Sequence, residues 1–193
     1  IQLKYLPDSK VKYAIQSINI QSGIFCLMKD RFQDIIWVGA DGQGIYMYFT
    51  DEFSIENVLL DVPEYRVNNP VRALFLDHEQ TLWIGTKGGG ILRMMDFYPD
   101  RETLPQAERI LANNSALMDN SVYSFAPGRR KSLWIGTEDG LNYYSYLTKR
   151  IEEFPVIADG KKVKYVHSIC ETNDSTLWVV SAGEGIVKIT LEA

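Results

Sequence analysis

The side chains best suited to bind a ligand lie in the polar turn segments of this 193-residue chain. They combine amide, carboxylate and ammonium groups, which can hydrogen-bond to a ligand rich in hydroxyl groups. Asp and Asn also serve turn geometry alone, because they tolerate the backbone conformations that tight turns require. Ligand binding and turn formation are therefore both open for every member of the set. The candidate ligand-binding residues are Asp41, Gln43, Asn69, Lys87, Asn114, Asn120, Glu138, Asp139 and Glu184.

Patterns typical of catalysis do not occur in the sequence. It contains no motif for a catalytic nucleophile and no metal-ligand spacing. The run Gly88-Gly89-Gly90 enters an apolar strand segment, so it lacks the helix N-terminus that would bind phosphate. We therefore expect this chain not to be an enzyme, and to hold no cofactor and no metal.

The remaining reactive side chains have ordinary structural explanations. Cys26 and Cys170 lie in apolar runs, where we expect buried thiols and not a disulfide or a metal pair. His167 lies in the same run as Cys170, and we expect it to be hydrogen-bonded within a sheet. The basic cluster at 129–131 is expected to be a solvated hairpin tip, and the net charge of −5 argues against nucleic acid as a partner.

One apolar phrase occurs four times, and each copy contains one of the four tryptophans. This repeat predicts the fold that positions the polar turn segments. The tryptophans follow one another at intervals of 46, 51 and 44 residues. A period of this size indicates one supersecondary unit that is repeated along the chain. The copies are Ile36-Trp37-Val38-Gly39, Leu82-Trp83-Ile84-Gly85, Leu133-Trp134-Ile135-Gly136 and Leu177-Trp178-Val179-Val180.

Each unit contains four short strand signals. An apolar run precedes the tryptophan phrase, and a glycine-rich turn, a third run and a more variable fourth run follow it. The tryptophan strand is apolar on both faces, which is typical of a sheet covered on both sides. The sequence therefore predicts an all-β fold, a β-propeller of about four four-stranded antiparallel blades with strands A to D. The glycine after each of the first three tryptophans would let the next blade approach closely.

The unit boundaries predict one propeller segment over residues 1–193 that begins and stops inside blades. Val11 to Ile15 could supply the missing strand of the last blade and close a four-bladed ring. We favour a fragment of a larger propeller of about seven blades, whose open ends expose apolar faces and lead to self-association. The predicted parts are strands C and D of a preceding blade at 1–16, blade 1 at 23–61, blade 2 at 69–113, blade 3 at 120–157 and an incomplete blade 4 at 164–190.

The repeat resembles the two-component regulator propeller repeats of hybrid sensor kinases from gut Bacteroidetes. The resemblance rests on Asn120-Ser121-Val122 with Leu133 to Leu141, and on Asn69-Pro70-Val71 with Leu82 to Thr86. Three positions in the first and last units depart from that pattern. They are Ala40, Val180 and Ser181.

The resemblance implies the periplasmic sensor region of an inner-membrane protein, with a histidine kinase elsewhere in the full protein. Such a sensor binds an oligosaccharide and controls polysaccharide-utilisation genes. The ligand would meet the end of the propeller that carries the D–A and B–C connections, where all candidate residues lie. The other expected partners are neighbouring blades of the full-length chain. We expect no nucleic acid and no direct membrane insertion of this segment, since it has no apolar stretch long enough to cross a bilayer.

Two other functions stay open at the level of sequence. A propeller of this kind can be a scaffold for protein interaction. It can also be a glycoside hydrolase, since propeller sialidases carry a Ser-x-Asp-x-Gly-x-Thr-Trp box that Asp77 to Trp83 partly resembles. Asp77 lies six residues before the tryptophan, where that box has five, and Gln80 replaces its glycine. Hydrolysis would also need two carboxylates held across a cleft.

Overall fold

The predicted all-β propeller fold is confirmed by the computed structural model. It describes residues 2–4, 13–15, 17–58, 63, 66–97, 106–172 and 175–191, and these ranges contain nineteen strands and no α-helix. In the part of the chain so described, no helix is long and apolar enough to cross a membrane.

Three sheets have four antiparallel strands each, and a fourth sheet has three. Within each of them the strands pair in chain order, as the repeat predicts. We call them the first to fourth blades. The first blade comprises β3 (Ile24–Lys29), β4 (Ile35–Ala40), β5 (Ile45–Phe49) and β6 (Ser54–Asn57), and the second comprises β7 (Val71–Leu76), β8 (Leu82–Thr86), β9 (Ile91–Met95) and β10 (Gln106–Ile110). The third blade comprises β11 (Val122–Gly128), β12 (Ser132–Thr137), β13 (Leu141–Ser145) and β14 (Arg150–Phe154). The fourth blade comprises β17 (Val166–Glu171), β18 (Thr176–Ser181) and β19 (Gly185–Thr190).

Two small hairpins complete the described strands. β1 (Gln2–Lys4) pairs with β2 (Tyr13–Ile15). Their assignment to a preceding blade stays a prediction. Among the described residues β2 pairs with no strand of the fourth blade. Val11 and Lys12, which belong to the strand considered for ring closure, lie outside the described residues. β15 (Ile157–Ala158) and β16 (Lys161–Lys162) form a hairpin, unforeseen from the sequence, in the connection between the third and fourth blades.

The blades pack face to face, and their first strands are neighbours in the order β3, β7, β11 and β17. The glycine of each tryptophan phrase makes this approach possible. A methyl group at Gly85 would come within 2.9 Å of Val122 in the next blade, and one at Gly39 within 2.7 Å of Val71. The close approach predicted for these glycines is therefore confirmed.

The tryptophans of the first three blades are buried between neighbouring sheets. Trp37, Trp83 and Trp134 have exposed fractions of 1%, 0% and 5%. Trp83 contacts Phe125 and Tyr144 of the third blade with ring centroids 6.2 and 4.8 Å apart. Each indole therefore belongs to the core that joins one blade to the next.

The fourth blade differs from the other three, because the face that points away from the third blade is exposed. Trp178 is 39% exposed, and Ile186 is 72% exposed although its counterparts in the other blades are buried. Val180 stands where the other phrases have glycine, and in the described residues no further sheet covers it. Cys170 lies on this open face, so the expectation that its thiol is buried is wrong.

The first strand of every blade contains a β-bulge at its second residue. In the second blade Val71 pairs with Thr86 and Ala73 pairs with Gly85, which leaves Arg72 without a partner in the ladder. The same register shift occurs in β3, β11 and β17. A bulge turns the unpaired side chain away from the sheet, and bulges are common beside binding sites.

Candidate functional site

The nine candidate residues all lie at one end of the propeller. Since the strands of each blade alternate in direction, the connections from strand B to C and from strand D to the next strand A emerge together. We call this the polar end. Whether its side chains touch a ligand stays a prediction, but their present hydrogen-bond partners distinguish them.

The asparagines at the polar end hold the connections in place. The Asn69 amide donates to the Lys87 carbonyl oxygen at 3.1 Å. Asn120 accepts from the Ala112 N–H at 2.8 Å. Asn114 accepts from the Leu111 N–H at 2.8 Å and donates to the Arg109 carbonyl oxygen of β10 at 3.0 Å. These three amides therefore support the loop geometry that the turn-forming interpretation predicts.

Two neighbouring carboxylates of the third blade have different surroundings. Asp139 accepts from Lys162 at 2.6 Å and from Lys164 at 2.8 Å, and these hydrogen bonds lower the pKa of its carboxyl group. Glu138 accepts from the Tyr123 hydroxyl at 2.8 Å. Asp139 is thus neutralised by two lysines, whereas Glu138 is tied to an aromatic side chain of the innermost strand.

The other four candidates have fewer side-chain contacts. The Gln43 side chain accepts from the Tyr46 hydroxyl at 2.9 Å. Asp41 and Lys87 are exposed and Glu184 is half-buried, and within the described residues their side chains form no hydrogen bond and no ion pair. These three groups are available to a ligand without breaking an existing contact.

The bulges place one further side chain per blade at this end, and sequence reasoning did not single them out. They are the second residues of the innermost strands. We call them the axial row: Phe25, Arg72, Tyr123 and His167.

Members of the axial row contact one another from blade to blade. The Arg72 guanidinium lies 3.9 Å from the centroid of the Phe25 ring. The rings of Tyr123 and His167 are 4.7 Å apart and inclined by 33°. Burial, together with the hydrogen bond to Glu138, raises the pKa of Tyr123 to about 12, so its hydroxyl stays protonated at neutral pH. The row therefore supplies aromatic faces, a cation and a carboxylate within one stretch of surface.

The expectation of an in-sheet hydrogen bond for His167 is wrong. The bulge removes this residue from the ladder, its side chain is exposed, and in the described part of the chain it forms no hydrogen bond. A signal was present in the repeat itself. The residue after the first valine or isoleucine of each unit is a different large side chain in every copy, while the residue after it is always small.

Asp77, the carboxylate of the segment that partly resembles the sialidase box, has a structural role. Asp77 is 1% exposed and accepts from the backbone N–H groups of Glu79 and Thr81 at 2.9 and 2.8 Å. It also accepts from the Trp83 indole at 2.8 Å and the Tyr146 hydroxyl at 3.2 Å. With four donors around it, this carboxylate is engaged in holding the hairpin and the tryptophan.

The indole N–H groups of Trp37 and Trp134 also donate to carboxylates, but these carboxylates lie at different places in the fold. Asp30 accepts from the Trp37 indole at 2.9 Å within the first blade. The third blade has no aspartate there, and Glu171 of the fourth blade accepts from the Trp134 indole at 2.7 Å. The described residues contain no group of three side chains suited to hold a metal ion.

These geometries define the class of protein as a segment of a β-propeller. The family model for the two component regulator propeller matches residues 66–88 and 116–139, which include the tryptophan strands of the second and third blades. Over these two segments the chain is therefore similar to the two component regulator propeller repeat.

Several known proteins are similar over most of this chain. It is 28% identical over 181 residues to Histidine kinase P4 of Formosa agariphila, and the match covers 92% of this chain but 13% of that protein. The extracellular domain assigned to the hybrid two component system BT3049 of B. thetaiotaomicron is similar in fold, with a TM-score of 0.59, 18% identity, and coverage of 97% of this chain and 29% of that domain. The β-propeller domain of Cps50 (Swd1) from Myceliophteria thermophila has a TM-score of 0.59 and 11% identity, over 89% of this chain and 52% of its own.

Proposed function

We propose that this chain is the extracytoplasmic sensor segment of a hybrid two-component signalling protein and that it binds an oligosaccharide. Two of its repeats match the family model for the two component regulator propeller, and a histidine kinase and an extracellular domain of a hybrid system are among the proteins similar to it. The signal would pass to a kinase elsewhere in the full protein and control polysaccharide-utilisation genes. The segment would lie in the periplasm, packed against further blades of the same protein.

The observation that carries the ligand proposal is the axial row. Sugar recognition needs an aromatic face for the C–H side of the ring and polar groups for the hydroxyls. Phe25, Tyr123 and His167 supply the rings, and Glu138 lies within 2.8 Å of the Tyr123 hydroxyl. The four members come from four successive blades, so a ligand on the row could contact more than one blade.

Calorimetry and thermal shift with a panel of defined oligosaccharides test this proposal. A ligand present at 100 times its Kd stabilises the folded state by about 2.7 kcal/mol, which is easily seen in a thermal scan. We expect saturable binding to at least one glycan and no release of shorter products from it. Absence of binding across the panel would refute the sensor proposal, whereas product release would favour a glycoside hydrolase.

The second candidate function, a scaffold for protein interaction, is favoured by the open face of the fourth blade. Trp178, Val180 and Ile186 form an exposed apolar group on that face. A scaffold would bind through this face without any glycan. Substitution Ile186→Glu should then abolish partner binding and leave glycan binding unchanged.

A further inference from the structure

Arg72 is the one member of the axial row with a permanent positive charge. It sits at the bulge of β7 and is half-buried, and the face of its guanidinium lies against the Phe25 ring. Within the described residues it forms no hydrogen bond and no ion pair, and its Nε atom is buried without a partner. A half-buried guanidinium in this condition is unusual, because buried polar groups are nearly always hydrogen-bonded.

Other partly buried arginines of the chain are paired. Arg93 donates to the Glu108 carboxylate at 2.7 Å. Arg109 donates to two backbone carbonyl oxygens, at 2.9 and 3.3 Å. The Nε atom of Arg93 is also buried without a partner, but terminal nitrogens of Arg93 and Arg109 are hydrogen-bonded. Arg72 differs because its whole guanidinium group is unpaired within the described residues.

The carboxylates on neighbouring blades do not neutralise Arg72. Glu138 accepts from the Tyr123 hydroxyl, and Asp119 accepts from the Ser121 backbone N–H at 2.6 Å. Asp139 is bound by two lysines. These three acids thus have donors of their own, and the exposed Asp41 of the first blade forms no ion pair with Arg72. The edge of the guanidinium is left for an anion from outside the chain.

We infer that Arg72 binds an acidic group of the ligand, the carboxylate of a uronic acid or a sulfate ester. A guanidinium presents its donors in a planar fork that matches both oxyanions. The ring of Phe25 fixes the plane of this fork, and the Tyr123 and His167 rings extend the surface on the other side. The sensed oligosaccharide is then an acidic one. This inference rests on the proposed function and adds the charge class of the ligand.

The test compares three probes on the whole chain by calorimetry. They are an oligogalacturonide, the same oligosaccharide with its carboxylates reduced to alcohols, and a sulfated galacto-oligosaccharide. We expect an acidic probe to bind at least tenfold more tightly than the reduced one. The carboxylate and sulfate arms identify which oxyanion is recognised.

Substitutions test whether the preference for the acidic probe depends on Arg72. Arg72→Met should weaken binding of the acidic probe about 10- to 100-fold, the range for losing a hydrogen bond to a charged group. Arg72→Lys should retain part of the affinity, since it keeps the charge and loses the fork. Arg150→Met, which removes an exposed cation on the outermost strand of the third blade, should bind as the wild type does. Thermal unfolding of Arg72→Met should match or exceed that of the wild type, because an unpaired charge has been removed.

The outcomes separate this inference from the proposed function. Equal affinity for the reduced and acidic probes, or an unchanged affinity in Arg72→Met, would overturn the acidic-ligand inference and leave an oligosaccharide sensor in place. Failure of every glycan, acidic or neutral, would overturn both.

Discussion

Alanine in place of Gly136 is the sharpest test of how the blades are held together. A methyl group at this position would meet Ser124 Oγ, and it would lie 2.5 Å from the Val166 carbonyl oxygen and 2.7 Å from Val166 Cγ1. Val166 belongs to the first strand of the fourth blade, so its backbone cannot yield as the end of a flexible side chain can. The Ser124 hydroxyl donates to the same carbonyl oxygen at 2.9 Å, and the methyl group would displace it.

The size of the effect follows from these contacts. Overpacking of a well-filled core destabilises by about 1–3 kcal/mol, and loss of one hydrogen bond adds about 0.5–1.5 kcal/mol. We therefore expect Gly136→Ala to lower the free energy of unfolding by about 2–4 kcal/mol. Without the contacts the sign would be opposite, since alanine in a strand is more stable than glycine by about 0.5–1 kcal/mol.

Urea and thermal unfolding, followed by circular dichroism, measure this change. For a domain of this size the melting temperature should fall by roughly 4–16 °C, at about 2–4 °C per kcal/mol. The matched control is Val180→Ala at the equivalent position of the fourth blade, where the side chain is 42% exposed and should change stability by less than about 1 kcal/mol. If Gly136→Ala is as stable as the wild type, or no worse than Val180→Ala, the proposed packing between blades is wrong.

Three further predictions concern other parts of the chain. Asp77→Ala should lower the free energy of unfolding by about 2–4 kcal/mol in urea titrations, because it leaves the buried Trp83 indole without its acceptor; unchanged stability would contradict this role. Burial raises the pKa of the Cys26 thiol to about 11, so at pH 8 a thiol reagent should react quickly with the exposed Cys170 and slowly with Cys26. Cys170→Ser should therefore remove the fast phase of the reaction. Loss of the fast phase in Cys26→Ser instead would refute the assignment. The open blade faces should cause concentration-dependent self-association in sedimentation velocity that Ile186→Glu abolishes, and a strictly monomeric wild type would count against it.

The fold could be predicted because the repeat constrains it several times over. The four tryptophan phrases recur at a spacing that only a small set of architectures uses, and each lies between strand signals. The role of Gly39 and Gly85 was also foreseeable, since a glycine that recurs two residues after the tryptophan in an apolar strand indicates a close neighbour. These inferences use residue type and spacing alone, which the sequence contains in full.

The axial row was missed because its bulge shows only when the four repeats are compared position by position, and not within any single strand. Val71, Arg72 and Ala73 have the residue types of an ordinary strand, and only the pairing register shows that the middle one is unpaired. The exposure of Cys170 was missed for a related reason. Whether the face of a blade is covered depends on the sheet beside it, and that is a property of the assembly of blades.

The hydrogen-bond acceptors of the tryptophans could be predicted from the sequence only in part. The acceptors Asp30 and Asp77 precede their tryptophans in the same hairpin, so a local pattern exists. For Trp134 the acceptor is Glu171, 37 residues away on the next blade. A contact of that kind follows from tertiary packing and cannot be predicted from one sequence.

The most direct test of an oligosaccharide site on the axial row is a titration of three forms of the chain with the glycan that binds best. They are the wild type, Tyr123→Ala, and Arg130→Ala, whose exposed side chain lies on a hairpin at the opposite end of the propeller. We predict that Tyr123→Ala raises the Kd about tenfold or more, as for a central contact residue, and that Arg130→Ala leaves it unchanged. Weaker binding in Arg130→Ala with normal binding in Tyr123→Ala would contradict the axial site.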